Sequence, residues 1–294
     1  MSITKYKAFV KVAELGSLTK AAAALEYSQP GISHMISSLE QSFGFALLNR
    51  NRDACTLTEN GKAILYYCNQ IVKNEDDLLS LVQSFNGLMT GSIKIGATAS
   101  VMIDYLPKAV QHFSSLHPSI KIELFEGLKS ELLSGLQNGT YDIAFHSAPT
   151  LKQFDFVPLF KDPVCLIMPP DHPLAALDKV PVKMLAGTDF ILPVNEFADT
   201  YDAISKDHRI NLNIKYETAS DLAAMGLVGC GLGVSVISTE IVNYMHANVD
   251  IRHFSEDFHR EMGFSVPSMK HLTPAVRAFI NSMQERDSEG AEND

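Results

Sequence analysis

Polar side chains gather at the start of a short segment that begins at Ser28. Hydroxyl, amide and imidazole groups recur there, while Lys and Arg are missing from residues 29–43. Such groups form hydrogen bonds rather than break covalent bonds, and an amide side chain can make two hydrogen bonds to adenine in the major groove of duplex DNA. We therefore interpret the segment as a DNA-reading surface. Its side chains are Gln29, Ser33, His34, Ser37 and Ser38.

Residue patterns of common enzyme classes are missing from the chain. The sequence contains no HExxH, GxSxG or GxxxxGK[ST] pattern, and its 10 histidines are scattered. Gly229, Gly231 and Gly233 form a glycine-rich run, but it follows a predicted helix rather than a strand, so a dinucleotide site is not indicated. We predict no catalytic residue, no metal site and no cofactor.

A second set of polar residues follows predicted strands in the C-terminal half. Thr98, Ala99 and Ser100 come after one strand, and Lys129 and Ser130 come after the next. Because ligands of parallel α/β sheets bind beyond the carboxyl ends of strands, hydroxyl and N–H groups here could hold a carboxylate. The alternative is that the two serines cap helices and the lysine is a solvated surface residue. The first reading predicts a small anionic effector.

Three further residues extend this candidate ligand site. His146 follows the third predicted strand, where it either faces the ligand or serves as a structural histidine. Asn195 and Phe197 follow a later strand and could supply the opposing wall.

Three short helices must position the first polar group. Helical spacing of apolar residues predicts a first helix that ends at Gly16, a second over residues 18–25, and a third that is capped by Ser28 and ends near Phe43. Two short helices joined by a tight turn, the second with a polar start, form a helix-turn-helix, here at about residues 18–37.

A short β-wing and a long helix are predicted to follow. Residues 47–58 read as two short strands whose connection carries Arg50 and Arg52, within reach of phosphates. Residues 59–88 read as one helix with an apolar residue at every seventh position, which favours a two-helix dimer interface. The alternative is an amphipathic helix that packs on its own chain. The seven-residue repeat comprises Ile64, Ile71, Leu78 and Phe85, with Cys68 and Val82 on the companion seam.

Strand and helix patterns alternate from residue 93 onward, which predicts a parallel α/β sheet. Predicted strands cover residues 93–96, 120–125, 141–145, 164–168, 190–192, 214–218 and 234–237, and predicted helices cover 105–116, 132–136, 221–228 and 273–283.

Composition is consistent with this division of the chain. Its 294 residues suggest two or three domains, and its 46% hydrophobic residues are ordinary for a globular protein. The net charge is −10, yet residues 1–58 hold six Lys and Arg against four Asp and Glu. This N-terminal segment, called the head below, is therefore slightly basic, and the rest of the chain is acidic. We find no export signal or membrane span, which predicts a cytoplasmic protein without membrane contact.

Residues 9–61 resemble the signature of LysR-type transcriptional regulators, and later segments agree. Leu106-Pro107 with Phe113 and His117-Pro118 resembles the first sensor helix of the family, and residues 139–144 and 229–234 resemble its sensor-domain markers. The matching N-terminal residues are Phe9, Val12, Ala13, Gly16-Ser17-Leu18-Thr19, Ala21-Ala22, Leu25, Ser28-Gln29-Pro30, Ser33, Ile36, Leu39-Glu40, Gly44, Leu47-Leu48, Arg50 and Leu57-Thr58-Glu59-Asn60-Gly61.

The resemblance implies an N-terminal winged helix-turn-helix at residues 1–58 and a linker helix and hinge at residues 59–90. It further implies an α/β effector domain at residues 91–294, made of two Rossmann-like lobes as in type II periplasmic binding proteins. The first lobe is expected at about residues 91–161 and 268–294 and the second at about 162–267, with crossovers near residues 161–163 and 266–268.

The resemblance also implies functional residues and partners. Gln29, Pro30 and Ser33 match family positions at the DNA groove, and Arg50 matches the wing. Together with the residues singled out above, the predicted contacts to promoter DNA are Thr19, Ser28, Gln29, Pro30, Ser33, His34, Ser37, Arg50 and Arg52. The effector positions named above match family effector-binding positions at residues 98–100 and 128–130. Family members are usually tetramers, so a homodimer or homotetramer is expected, and RNA polymerase is a further candidate partner.

The chain departs from the family in one respect. Family members often carry Arg or Lys after Ser33 and further along the recognition helix, where this chain has His34, Ser37 and Ser38. Since each lost phosphate contact lowers the salt slope of binding by about one unit, a single head is predicted to bind weakly and to depend on oligomer avidity. Tight binding by an isolated head in a salt titration would contradict this.

Three other functions are alternatives. An enzyme or a ligand-binding transport protein could use the α/β lobes, but the first lacks a catalytic pattern and the second would need export. A redox-responsive regulator of the same family would need two nearby cysteines in the second lobe, whereas Cys165 and Cys230 lie far apart in the sequence and no CxxC pair occurs.

Overall fold

The computed structural model describes residues 2–50, 55–85, 91–194, 201, 204–205, 208–245 and 247–291, with backbone alone at 50, 84 and 288–291. The chain divides into two compact units, the first formed mainly by residues 1–91 and the second by most of the remaining chain. Among the described residues, none of the helices combines the length and apolarity that crossing a bilayer requires.

Three helices form the core of the N-terminal unit, as predicted. They are α1 (Ile3–Leu15), α2 (Leu18–Ala24) and α3 (Gln29–Phe43). Gly16 and Gly44 end α1 and α3 in the left-handed conformation, with φ of 62° and 81°, which glycine adopts without steric cost. Their apolar faces enclose a core of buried residues: Ala8, Phe9, Val12, Ala21, Ala22, Ile32, Ile36 and Leu39.

A two-stranded wing follows, also as predicted. Strands β1 (Leu48–Arg50) and β2 (Cys55–Leu57) pair antiparallel, and β2 is joined to the end of α1 by a 2.9 Å hydrogen bond from the Cys55 amide to the Gly16 carbonyl. The wing is thereby fixed to the three-helix core.

The long helix α4 (Glu59–Phe85) changes its environment along its length. Cys68 is buried in the core of the N-terminal unit and Ile64 packs against that core. Further along, Leu78, Val82 and Phe85 are 58%, 46% and 78% exposed. The first half therefore packs on its own chain, as the alternative interpretation predicts, and the second half presents an exposed apolar seam; the dimer interface remains a prediction. The predicted end at residue 88 lies outside the described residues.

The C-terminal unit is built on an eight-stranded sheet that continues through both lobes. The first lobe contains β3 (Gly91–Ala97), β4 (Ile120–Glu126), β5 (Ile143–Ser147) and the first part of β6 (Asp155–Met168), with helices α5 (Ala99–Ile103), α6 (Tyr105–Leu116) and α7 (Lys129–Gln137). The second lobe contains β7 (Lys179–Val180), β8 (Asp189–Pro193), β9 (Asn213–Thr218), α8 (Asp221–Gly229), β10 (Ser235–Ser238), α9 (Thr239–Tyr244) and β11 (Asp250–Phe254). The chain then returns through β12 (His259–Val266) and ends in α10 (Pro274–Ala291).

The sheet is mixed, which corrects the prediction of a parallel sheet. Within the eight-stranded sheet β3 and β5 are parallel, but β12 runs antiparallel to both β5 and β6. Strands β8 and β9 form a separate two-stranded parallel sheet. Strand directions depend on partners that are distant in sequence, so periodicity alone could not give them.

The crossovers between the lobes are made by the two long strands. β6 has 14 residues and runs through residues 161–163 without a break. On the return, Met262–Ser265 already pair with β5, so the first-lobe sheet begins before the expected crossover at residues 266–268. The lobe boundaries themselves remain a prediction.

Candidate nucleic-acid interface and effector site

The predicted DNA-reading residues lie on one exposed face of the helix-turn-helix. Ile32, Ile36 and Leu39 face the core of the unit, and the polar residues occupy the opposite side of α3. Of the predicted contacts, Thr19, Ser28, Gln29, Pro30, His34 and Ser37 are exposed and Ser33 is half-buried. The arrangement places hydrogen-bonding groups in a row along a helix whose diameter fits the major groove.

The N-termini of α2 and α3 are each capped by the side chain of the serine that precedes the helix. Ser17 Oγ accepts a 3.3 Å hydrogen bond from the Lys20 amide, and Ser28 Oγ accepts a 3.2 Å bond from the Gly31 amide. Since a cap satisfies one of the unpaired amides of a helix start, these serines fix where α2 and α3 begin.

Ser38 and the two arginines of the wing differ from the other predicted interface residues. Ser38 Oγ accepts a 2.7 Å hydrogen bond from Lys5 Nζ, so its hydroxyl is engaged in joining α1 to α3. The Arg50 side chain and Arg52 lie outside the described residues, and their predicted phosphate contacts remain predictions.

Glu40 connects α3 to the wing and was not singled out from the sequence as a site residue. Its Oε1 accepts hydrogen bonds from the amides of Leu47 at 2.8 Å and Leu48 at 3.2 Å. The wing strand is thus held at a fixed position relative to the recognition helix. The only sequence feature that could have indicated this role is that Glu40 is the single acidic residue of α3, which contains no Lys or Arg.

The candidate effector site begins at the end of β3, where Thr98 and Ser100 are 2% and 7% exposed. Thr98 Oγ1 is buried without a hydrogen-bond partner among the described residues, although Thr98 stands at the cap position of α5. Ser100 Oγ instead accepts a 3.1 Å hydrogen bond from Arg260 Nη2. Since buried hydroxyls almost always have a partner, the Thr98 hydroxyl is poised for one that enters from outside the chain.

Arg260 extends this site into a buried polar chain across the junction of the lobes. Its Nη2 forms a short ion pair with Asp162 Oδ2, and Asp162 Oδ1 accepts a 2.8 Å hydrogen bond from Ser238 Oγ. The chain therefore links α5, β12, β6 and the end of β10. Sequence reasoning missed Arg260 and Asp162, because 98 residues separate them and no local pattern marks either one.

His146 is completely buried, and both of its ring nitrogens are engaged. Nδ1 lies 2.8 Å from the Ser147 carbonyl and Nε2 lies 2.8 Å from Ser265 Oγ. A carbonyl only accepts, so Nδ1 carries the proton and the Ser265 hydroxyl donates to Nε2. Burial lowers the pKa of His146 to about 4, with a smaller contribution from the Lys129 charge. The geometry favours the structural alternative for this histidine.

The remaining predicted effector residues are placed as follows. Ala99 and Lys129 are half-buried and Ser130 is exposed. The N-terminus of α7 is engaged by Glu131, whose Oε2 accepts a 2.9 Å hydrogen bond from the Leu128 amide. Asn195 and Phe197 lie outside the described residues. In the described part of the chain, no three His, Cys, Asp or Glu side chains come together as metal ligands.

Comparison with known families assigns both units. A family model described as the bacterial regulatory helix-turn-helix protein, lysR family, matches residues 3–62. A second, described as the LysR substrate binding domain, matches residues 86–288, more than half of the chain. The chain belongs to the LysR family. It is therefore a LysR-type transcriptional regulator with an effector-binding domain, and this family consists of regulators rather than enzymes.

Similar proteins of the LysR family align over nearly the whole chain. The uncharacterized HTH-type transcriptional regulator YvbU of Bacillus subtilis is 27% identical, over 97% of this chain and 98% of that protein. The Hca operon transcriptional activator HcaR of Escherichia coli is also 27% identical, over the same shares of the two chains.

Solved LysR-family structures share the fold. A full-length OxyR variant from Pseudomonas aeruginosa has a TM-score of 0.76 at 21% identity, covering 97% of this chain and 95% of that chain. CbnR, a LysR family transcriptional regulator, has a TM-score of 0.73 at 20% identity, covering 98% and 99%. At these identities the likeness establishes the fold alone.

Cys165, one of the two second-lobe cysteines of this LysR-family chain, does not favour a redox-responsive mechanism. All four cysteines are free. Cys165 is completely buried, and burial raises the pKa of its thiol to about 12. Since the thiolate is the reactive form, Cys165 is inert at neutral pH.

Proposed function

We propose that this LysR-type regulator reads promoter DNA with the exposed face of α3 and responds to a small carboxylate bound at Thr98 and Ser100. The cytoplasm is the compartment in which these partners meet, and RNA polymerase is a further partner. The exposed apolar seam of α4, which includes Leu78, Val82 and Phe85, supports assembly into a homodimer or homotetramer. Two heads acting together would compensate for the absence of Lys and Arg on α3.

Base reading by Gln29 is the first testable part of this proposal. Replacing Gln29 with Ala removes the one long amide at the start of α3, and we expect affinity for the target site to fall by about 1–3 kcal/mol, or roughly 5- to 150-fold. Affinity for unrelated duplex should not change, because that binding depends on phosphate contacts. Fluorescence anisotropy measures both affinities, with fragments of the DNA upstream of the gene that encodes this chain as candidate targets and random duplex as the comparison.

Gln111→Ala is the matched control, because Gln111 is an exposed glutamine on α6. A Gln29→Ala protein that retained its preference for the target over random duplex would contradict the assignment. A salt titration of the full-length protein should show the shallow slope expected of a head with few phosphate contacts.

The observation that carries the effector site is the buried Thr98 hydroxyl without a partner. Ser100 lies in the same turn, and its oxygen accepts from Arg260, so its own hydroxyl proton is available for donation. Two hydroxyl donors beside a buried guanidinium suit a ligand group that only accepts hydrogen bonds, and a carboxylate is such a group.

Calorimetry with a panel of small carboxylates tests this site. Thr98→Val and Ser100→Ala each remove one donor with little change of shape, and we expect each to weaken the best-binding carboxylate about tenfold or more. Ser115→Ala is the matched control, since Ser115 is exposed on α6 and bonds only within its helix. Unchanged carboxylate binding in both the Thr98→Val and the Ser100→Ala variant would show that these residues do not form the effector site.

A further inference from the structure

A cavity of about 490 Å³ opens where the two lobes meet. The first lobe lines it with the start of α6, the middle of β6 and the end of α10, and the second lobe contributes Glu240 from α9. Its volume lies in the range of small-molecule sites. Neither Thr98 nor Ser100 lines it, although Asp162, which pairs with Arg260 beside Ser100, does; the cavity is therefore adjacent to the proposed effector site but has a different lining.

Aromatic rings form one wall of this cavity. The Tyr105 and Phe160 rings lie 5.1 Å apart between centroids and are tilted by 30°. The guanidinium carbon of Arg286 lies 4.4 Å from the Tyr105 ring centroid. A ring face in this wall thus already holds a cation, and both rings offer apolar surface to a ligand body.

The carboxylates of the lining are paired, with one exception. Asp104 pairs with Lys108 at 2.6 Å, Asp287 pairs with Arg286 at 2.6 Å, and Asp162 pairs with the buried Arg260. Glu240 makes no ion pair or hydrogen bond with any described residue. Burial raises the pKa of Glu240 most, the nearby carboxylates of Asp104 and Asp162 raise it further, and the Lys108 ammonium has a smaller opposing effect. Lys161 is a further cation in the lining, but neither lysine forms an ion pair with Glu240 among the described contacts.

We propose that this cavity binds a small organic cation, in which an ammonium group pairs with Glu240 and an apolar or aromatic body lies against Tyr105 and Phe160. A cation would give Glu240 a direct counter-charge, whereas an anion bound beside Glu240 would be repelled by its carboxylate. Because both lobes line the cavity, such a ligand would stabilise one arrangement of the lobes, and the regulator would have a second input of opposite charge to its proposed effector.

Calorimetry on the full-length protein with 2-phenylethylamine tests the proposal, since this probe carries an ammonium on an aromatic body. 2-Phenylethanol and 3-phenylpropanoate are its neutral and anionic counterparts. We expect the amine to bind about tenfold or more tightly than either. Glu240→Gln should lower amine affinity to that of the alcohol, because the substitution keeps the shape and removes the charge. Glu217→Gln is the control, at an exposed glutamate on β9.

Phe160→Leu is a second test variant. It retains Glu240, and it should lower the affinity for both the amine and the alcohol because it removes one of the two aromatic rings. Thr98→Val and Ser100→Ala should leave amine binding unchanged, which separates this site from the proposed effector site. The proposal is overturned if the amine gives no binding heat at millimolar concentration, if the carboxylate binds as tightly as the amine, or if Glu240→Gln has no effect.

Discussion

Replacing Arg260 with Met is expected to lower the free energy of unfolding of the C-terminal unit by about 3–5 kcal/mol. Asp162 is 1% exposed, so removal of the guanidinium leaves a buried carboxylate whose remaining side-chain partner among the described residues is the Ser238 hydroxyl. Scanning calorimetry should show this as a fall in melting temperature of roughly 10 °C, at about 2–4 °C per kcal/mol for a unit of this size.

Two comparisons isolate the cause of this effect. The double variant Arg260→Met, Asp162→Leu removes both charges and should recover most of the stability, because a buried ion pair and an apolar pair of similar volume are often equally stable. Lys121→Met breaks an exposed pair with Glu123 at 3.3 Å and should cost less than about 1 kcal/mol. If the single and double variants had the same melting temperature, an uncompensated buried carboxylate would not explain the loss of stability in the single variant.

Gly61→Ala is expected to destabilise the N-terminal unit by at least about 2 kcal/mol. A Cβ at this position would lie 2.2 Å from the Leu47 carbonyl oxygen and 3.3 Å from Leu57 Cδ2. That carbonyl also accepts a 3.0 Å hydrogen bond from the Thr58 amide, so the clash acts on the junction of α4 and the wing. Hydrogen exchange should show reduced protection of the Thr58 amide.

The same substitution at Gly226 serves as the control. Gly226 lies inside α8, and nothing stands within 4 Å of a Cβ built there. Since alanine is the better helix former by about 1 kcal/mol, Gly226→Ala should stabilise its unit slightly. The opposite signs of the two changes would show that steric fit, and not helix propensity, sets the requirement for glycine at position 61. Similar effects at both positions would refute this account.

Elements whose signals are local could be predicted from the sequence. Ser17, Ser28, Gly16 and Gly44 each act within one helical turn, so the end of α1, the start of α2 and the bounds of α3 agree with the structure within a residue or two. The apolar period along α4 was equally visible, but it could not distinguish the half that packs on its own chain from the half that is exposed.

Features that depend on distant partners could not be predicted. The antiparallel direction of β12 follows from its pairing with β5 and β6, whose partner residues lie 96 to 121 positions earlier. The pairing of Arg260 with Asp162 has the same origin. At Thr98, sequence position indicated the end of a strand, whereas the absence of a hydrogen-bond partner for its hydroxyl appears only in three dimensions.

The continuous course of β6, whose pairing with β12 shifts register once between Met262 and Gly263, limits how the sequence of the C-terminal unit can vary in length. Its first half pairs with β12, and its second half pairs with β10 and β11. Because side chains alternate between the two faces of a strand, deletion of a single residue would turn inward-facing side chains outward over one half or the other. Insertions and deletions among homologues should therefore accumulate in surface loops and avoid residues 155–168.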